Sequence, residues 1–109
     1  TFPFNGVTTT FEALWKNVPV VTKAGYNFNS RCGESILKNA NIDDFVATNN
    51  EDYINKAVFY ANNIDKLEDV RKKLFEEIEK SSLFNTTAFS GDFFKALNDM
   101  ILEVNKNYK

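Results

Sequence analysis

The chain of 109 residues contains no histidine. That removes imidazole metal ligands, Ser-His and Cys-His nucleophile pairs, and the commonest general base near neutral pH. A lone cysteine, Cys32, can close no internal disulfide and build no thiol-rich metal site, so a reducing, cytoplasmic compartment and no metal cofactor are expected. Apolar runs extend only a few residues, too short to span a bilayer. Charge of one sign is also lacking: 13 Lys and Arg against 15 Asp and Glu leave a net charge of −2. That balance draws neither nucleic acid nor an anionic membrane surface. The opening Thr1-Phe2-Pro3-Phe4 has no Met and no basic stretch before an apolar one, so it is no signal peptide, and the chain is expected to be a piece of something longer. What remains is ordinary globular composition, 43% hydrophobic and 26% charged, sized for one unit over 1–109.

The chain changes character near residue 48. Three of its four glycines and both prolines precede that point, and the remainder follows a helical period almost throughout. A first helix is predicted from Thr8 to Lys16, with Phe11, Leu14 and Trp15 sharing a face and Asn17 taking the left-handed position that ends it. Val18-Pro19-Val20-Val21-Thr22 reads as a short buried strand, so helix and strand form half of a β-α-β unit. A second helix is expected from Ser30 to Asn39, capped by Asn29 or Ser30, with Cys32, Ile36, Leu37 and Ala40 inward. Phe45-Val46-Ala47 is at best a small second strand. A third helix should start at Thr48, whose T-x-x-E spacing with Glu51 suits a capping box, and bury Tyr53, Ile54, Ala57, Val58 and Tyr60 or Ala61 until Asn62-Asn63 ends it. A fourth carries Leu67, Val70, Leu74, Phe75 and Ile78. After a break at Ser81–Thr86, a last helix to about Asn107 aligns Phe89, Phe93, Phe94, Leu97, Met100, Ile101, Val104 and Tyr108. That stripe either closes the domain's own core, the reading preferred here, or packs on a neighbour. The fold class is therefore α/β, a partial Rossmann-like lobe with a small parallel sheet and about five helices.

One stretch carries chemistry. Asn5-Gly6-Val7-Thr8-Thr9-Thr10-Phe11-Glu12 puts a glycine and three hydroxyls where a helix begins. A helix N-terminus offers free N–H groups and about half a positive charge, which suits phosphate. Gly6 permits close approach, Thr8 and Thr9 add hydroxyl donors, and Glu12 one turn on can accept from ribose hydroxyls, an order that fits a nucleotide diphosphate with its sugar. Thr9 and Glu12 are equally a T-x-x-E capping box, which needs no ligand. Arg31 is either a phosphate contact or an exposed helix-start arginine, Cys32 is core, Asn85-Thr86-Thr87 is a coincidental sequon, and the charge-rich region from Arg71 to Glu79 is a solvated helix face.

The string from Phe4 to Thr22 resembles the C-terminal lobe of the O-linked N-acetylglucosamine transferase family, whose pattern reads approximately NGxTTxxxxLWxGxPVVT. Ser30-Arg31-x-Gly33-x-Ser35-x-Leu37 is similar to that family's SRVGASLL helix, Glu51-Asp52-Tyr53 to its EEY helix start, and Ser81–Asn85 to its SSPLFN link, with the proline absent here. The blocks occur in order over nearly the whole chain, and the wider pattern is similar to the sugar-nucleotide lobe of two-lobed glycosyltransferases.

The resemblance implies transfer of a sugar, typically N-acetylglucosamine from its UDP form, to Ser or Thr hydroxyls of proteins. Thr8 and Thr9 would match the pair that contacts the diphosphate, and Glu12 the acid that holds the ribose, here Glu where the animal enzymes have Asp. Val7 stands where those enzymes have histidine, and Asn17 replaces the family glycine. The family's diphosphate lysine, its uracil-contacting segment, its acceptor lobe and its tetratricopeptide array would all lie upstream, so no residue here is assigned a catalytic role. The alternative is a non-catalytic helical protein-interaction module on the same fold; remoter still is a general anion-binding domain. Cut from its surroundings, the chain is expected to associate with itself.

Overall fold

The first helix, α1, spans Thr8–Trp15 and buries Leu14 and Thr10. It stops where expected, and the reason is visible: Asn17 has φ 57°, its N–H donates to the Leu14 carbonyl at 2.9 Å, and the Val18 N–H reaches back to the Ala13 carbonyl at 2.9 Å. This paired closure satisfies the carbonyls of the last turn, and asparagine supplies the left-handed residue at modest cost. Trp15 does not share the burial of Leu14; it is half exposed and leans on Phe84, ring centroids 4.9 Å apart. The computed structural model describes residues 2–108; Thr1 and Lys109 lie outside the described residues.

The predicted strands shrink. β1 is only Thr22–Lys23 and β2 only Val46–Ala47. They pair in parallel, with Thr22 opposite Val46 and Lys23 opposite Ala47. Residues 18–21 are outside the sheet because Asp43–Phe45 coils into a 3-10 turn and leaves β2 two residues long, too short to pair further back. Between the strands, Phe28–Ser30 forms another 3-10 turn capped by Asn27, whose side chain and that of Ser30 bond reciprocally. That turn delays the next helix, α2, to Cys32–Asn39. Neither Asn29 nor Ser30 is its cap. Ile36, Leu37 and Ala40 are buried as the pattern predicts, whereas Cys32 is only partly buried and its thiol donates to the Phe28 carbonyl at 3.3 Å.

α3 covers Asn50–Asn62. Its cap is Asn49, not Thr48: the Asn49 side chain accepts from the Asp52 N–H at 2.9 Å, while the Asp52 carboxylate accepts from the Thr48 N–H at 2.9 Å. The same i, i+3 logic operates one residue later than expected. The helix is also rotated. Tyr60 stacks on buried Phe45 at 4.4 Å and 16°, which turns Tyr53 and Tyr60 inward and leaves Ile54, Ala57, Val58 and Ala61 exposed. α4 runs Ile64–Glu77 and tightens into a turn at Ile78–Lys80. Leu74 and Ile78 reach the core, Leu67 and Val70 border it, and Phe75, expected inside, is 69% exposed.

Leu14, Ile36, Leu37, Ala40, Ile42, Phe45, Leu74 and Ile78 form one cluster where α1, α2 and α4 meet. α5, Thr86–Asn107, takes no part in it. The helix is capped by Asn85, and none of its residues is buried. The reading in which its stripe closes this core is therefore wrong. Leu83 and Phe84 in the preceding link already cover that edge of the cluster, and the chain then leads away. The radius of gyration is 17.6 Å and the longest extent 64 Å, against about 13 Å expected for a compact chain of this length.

These packing differences have a measurable consequence. Leu37→Ala, at a fully buried position, should lower unfolding free energy in urea by about 2–5 kcal/mol. Ile54→Ala, at an exposed one, should stay within about 0.5 kcal/mol of the parent.

Candidate functional site

The segment before α1 is anchored by Asn5, a buried polar residue. Its side-chain oxygen accepts the Gly33 N–H at 3.2 Å, its side-chain amide reaches the Lys23 carbonyl at 3.5 Å, and its backbone N–H donates to the Asn29 carbonyl at 3.2 Å. Gly33 lies in the first turn of α2, a helix with no side-chain cap of its own. Asn5 therefore satisfies one of the free donors that every helix start leaves. Gly33 has no room for a side chain, since a Cβ there would stand 2.3 Å from the Thr22 hydroxyl.

Gly6 follows. A Cβ on it would meet the Thr9 hydroxyl at 2.8 Å and the Thr10 hydroxyl at 3.1 Å. The Thr10 hydroxyl turns inward and donates to the Gly6 carbonyl at 2.9 Å, which ties the turn to the helix it precedes. α1 then begins with Val7 in the cap position and no side-chain capping bond. Its first backbone bond runs from the Phe11 N–H to the Val7 carbonyl at 3.1 Å, so the amides of Thr8, Thr9 and Thr10 precede the helical ladder. Thr9 sits inside the helix rather than at its cap, so the Thr9–Glu12 capping box does not form. Thr8, Thr9 and Glu12 are all exposed. Spacings of three and four residues place Glu12 on the flank that carries those threonines. No acidic residue stands in the first turn to oppose an anion.

The turn is open on its outer side. The recess behind Gly6, Thr10, Thr22 and Tyr53 measures about 40 Å³, far below the several hundred Å³ of an enclosed ligand site.

Arg31 is not turned toward the site. One guanidinium nitrogen donates to the Gly25 carbonyl at 3.0 Å, and another pairs with Glu34 at 2.6 Å. Asn85 of the sequon is the cap of α5, accepting the Ala88 N–H at 3.0 Å. The Arg71–Glu79 region is exposed except for Leu74, Glu77 and Ile78. Burial, and secondarily the Asp44 charge, holds the Tyr60 phenol above its ordinary pKa, but that residue stacks on Phe45 in the turn before β2. Sequence reasoning missed Asn5, Thr10 and Gly33. Asn5 and Gly33 stood in the quoted blocks without a role, because their shared hydrogen bond crosses 28 residues.

The anchor and the exposed hydroxyls should separate in mutational tests. Asn5→Ala leaves the Gly33 amide unpaired and should cost about 1–3 kcal/mol of unfolding free energy. Thr9→Ala removes no cap and should leave the melting temperature nearly unchanged.

The chain is similar to proteins of known description. A protein of Solanum lycopersicum described as "Probable UDP-N-acetylglucosamine--peptide N-acetylglucosaminyltransferase SPINDLY" is 36% identical over 90 residues, 83% of this chain and 10% of that protein. A protein of Hordeum vulgare with the same description is 34% identical over 100 residues, 92% of this chain and 11% of its own length. The chain thus spans about a tenth of these curated relatives. Among solved structures, a mutant of the Thermobaculum terrenum O-GlcNAc transferase superposes with a TM-score of 0.85 at 31% identity, covering 92% of this chain and 19% of that one. The mostly helical fold with its small parallel sheet is accordingly that of a transferase lobe. Residues 1–93 match the model of Glycosyl transferase family 41, and the chain belongs to that family.

Proposed function

We propose that this chain is the donor-binding part of a protein O-glycosyltransferase that uses a nucleotide sugar, UDP-N-acetylglucosamine by the description of its relatives. The observation that carries the reading is the uncapped start of α1, with Thr8, Thr9 and Glu12 exposed along it. Gly6, Thr8 and Thr9 would hold the diphosphate through backbone amides and hydroxyls, and Glu12 would accept from the ribose. In the transfer, the bond between the sugar's anomeric carbon and the terminal phosphate oxygen breaks, and its electron pair leaves with UDP. The Ser or Thr oxygen of the acceptor bonds to that carbon as its O–H bond breaks, and the proton passes to the departing phosphate or to water. Negative charge grows on the leaving diphosphate, where the positive end of α1 stabilises it without reorganising. This chain contributes binding and leaving-group stabilisation and assigns no base. It needs no metal for that role, and it is placed in the cytoplasm by the same proposal.

Titration of UDP into the longer polypeptide that carries this chain tests the reading. Glu12→Ala should weaken binding by about 1–3 kcal/mol, with Thr8→Ala and Thr9→Ala following more mildly and the melting temperature unmoved. Equal affinity in the parent and Glu12→Ala would remove the ribose assignment.

A second reading, a non-catalytic interaction module on the same fold, is favoured by α5. Phe89, Phe93, Phe94, Met100, Ile101 and Val104 are each more than half exposed on a 22-residue helix. Phe93, Leu97, Met100 and Val104 are spaced four, three and four apart, the seam of a helix pair. Sedimentation should show this chain self-associating, and Phe93→Asp with Leu97→Asp should return it to monomer. A module of this kind would bind no UDP.

A further inference from the structure

α4 has a second face besides the one that buries Leu74. Ile64, Leu67, Arg71, Lys72 and Phe75 recur at three- and four-residue spacing, so they share one side of the helix. With Asn17 they line a hollow of about 430 Å³. A second hollow of about 420 Å³ adjoins it, lined by Trp15, Ile78 and Glu79, and the two share Asn17, Phe75 and Glu76. Together they form one groove between α4 and the end of α1. Its apolar lining is open to solvent: Ile64, Phe75 and Trp15 are 61%, 69% and 49% exposed. From Ile64 to Glu79 the groove follows the chain for about 22 Å at the helical rise.

The chain's own α5 does not enter this groove. None of its residues lines either hollow, and none is buried. Phe84, in the link before α5, packs on Trp15 at the groove's end, and the helix leads away from there. Its stripe from Phe89 to Val104 also measures about 22 Å. A helix that presents apolar anchors at this spacing is the kind of element an apolar groove accepts. Groove and helix are therefore of comparable length, and one chain carries both without joining them.

Charge identifies the occupant. In the groove, Lys72 pairs with Glu68 at 3.3 Å. Arg71 gives its Nε to the Asn17 carbonyl at 2.9 Å, and among the described residues its other guanidinium nitrogens have no partner. On α5, Asp99 pairs with Lys95 at 2.6 Å and Glu103 with Lys106 at 3.6 Å. Asp92, three residues after Phe89 and one before Phe93, is exposed and has no partner among the described residues. That spacing puts its carboxylate at the border of the apolar stripe. An unmatched cation in the groove thus answers an unmatched anion beside the stripe, and a guanidinium is suited to hold a carboxylate. Each copy carries both halves, so a twofold axis satisfies both at once. We infer that α5 of a second copy docks in this groove, its stripe on Ile64, Phe75 and Trp15 and its Asp92 paired with Arg71, each chain giving its helix to the other. The inference rests on the self-association reading above and names the surface on which α5 docks.

Sedimentation equilibrium of the chain over a concentration series tests it. The parent should form a dimer. Phe75→Asp in the groove and Asp92→Arg on α5 should each raise the dimer Kd by about ten-fold or more. Both positions are exposed, so neither change opens the core. Adding Arg71→Glu to Asp92→Arg reverses the pair and should bring the Kd back toward the parent's. A parent-like Kd in Phe75→Asp means that α5 packs on α5 and overturns the groove assignment. A parent-like Kd in Asp92→Arg overturns the pairing, as does a double variant that binds no tighter than Asp92→Arg alone. Growth beyond a dimer overturns the twofold exchange. A parent that stays monomeric throughout the series removes the self-association reading itself.

Discussion

Asn5 belongs to no helix or strand, yet the arrangement of the first half of the chain hangs on it. Its side-chain oxygen takes the Gly33 amide that α2 leaves free, and its two N–H donors hold the end of β1 and the loop between β1 and α2. Buried and bonded on three sides, it converts a short irregular segment into a fixed approach to α1. The position of Gly6 relative to the sheet follows from that, and so does the direction in which the start of α1 faces. The glycine at 33 serves the same junction by letting α2 close onto Thr22.

The placement of the α1 start is a consequence of topology. In a parallel unit, the helix starts and the strand ends gather on the same rim. The open amides of α1 and the ends of β1 and β2 are neighbours on that rim, and Asn5 fixes their spacing. The α1 start presents donors and a partial positive charge there. Among the described residues a small core of eight clustered side chains lies beneath the rim, and Asn5 adds hydrogen bonds across it.

Helices announced themselves in the sequence wherever a local rule decided them. The end of α1 at Asn17 is a backbone preference of one residue, and it was legible. The Thr8, Thr9 and Glu12 surface was legible as a pattern, but whether Thr9 was a cap or a donor depended on where the helix began by a single residue. Strand length was not legible, since Val18–Val21 have strand propensity and lack a partner only because Asp43–Phe45 coils. The expected burial of Ile54 and Val58 failed for a related reason: periodicity gives the apolar face of a helix, and a contact such as Tyr60 on Phe45 decides how that face is turned. Asn5 was illegible as an anchor because its partner is distant in sequence.

α5 has a further consequence in local stability. Beyond the bonds its first turn makes to Phe84 and Asn85, its amides are bonded along the helix itself, and no side chain of it is buried. Most helical stability in proteins comes from packing, and α5 has none against the α1–α2–α4 cluster, so its opening is expected to be uncoupled from that of the cluster. Heat or denaturant can open α5 while the rim that carries Gly6, Thr8 and Thr9 stays intact, and amide hydrogens along α5 exchange on their own clock.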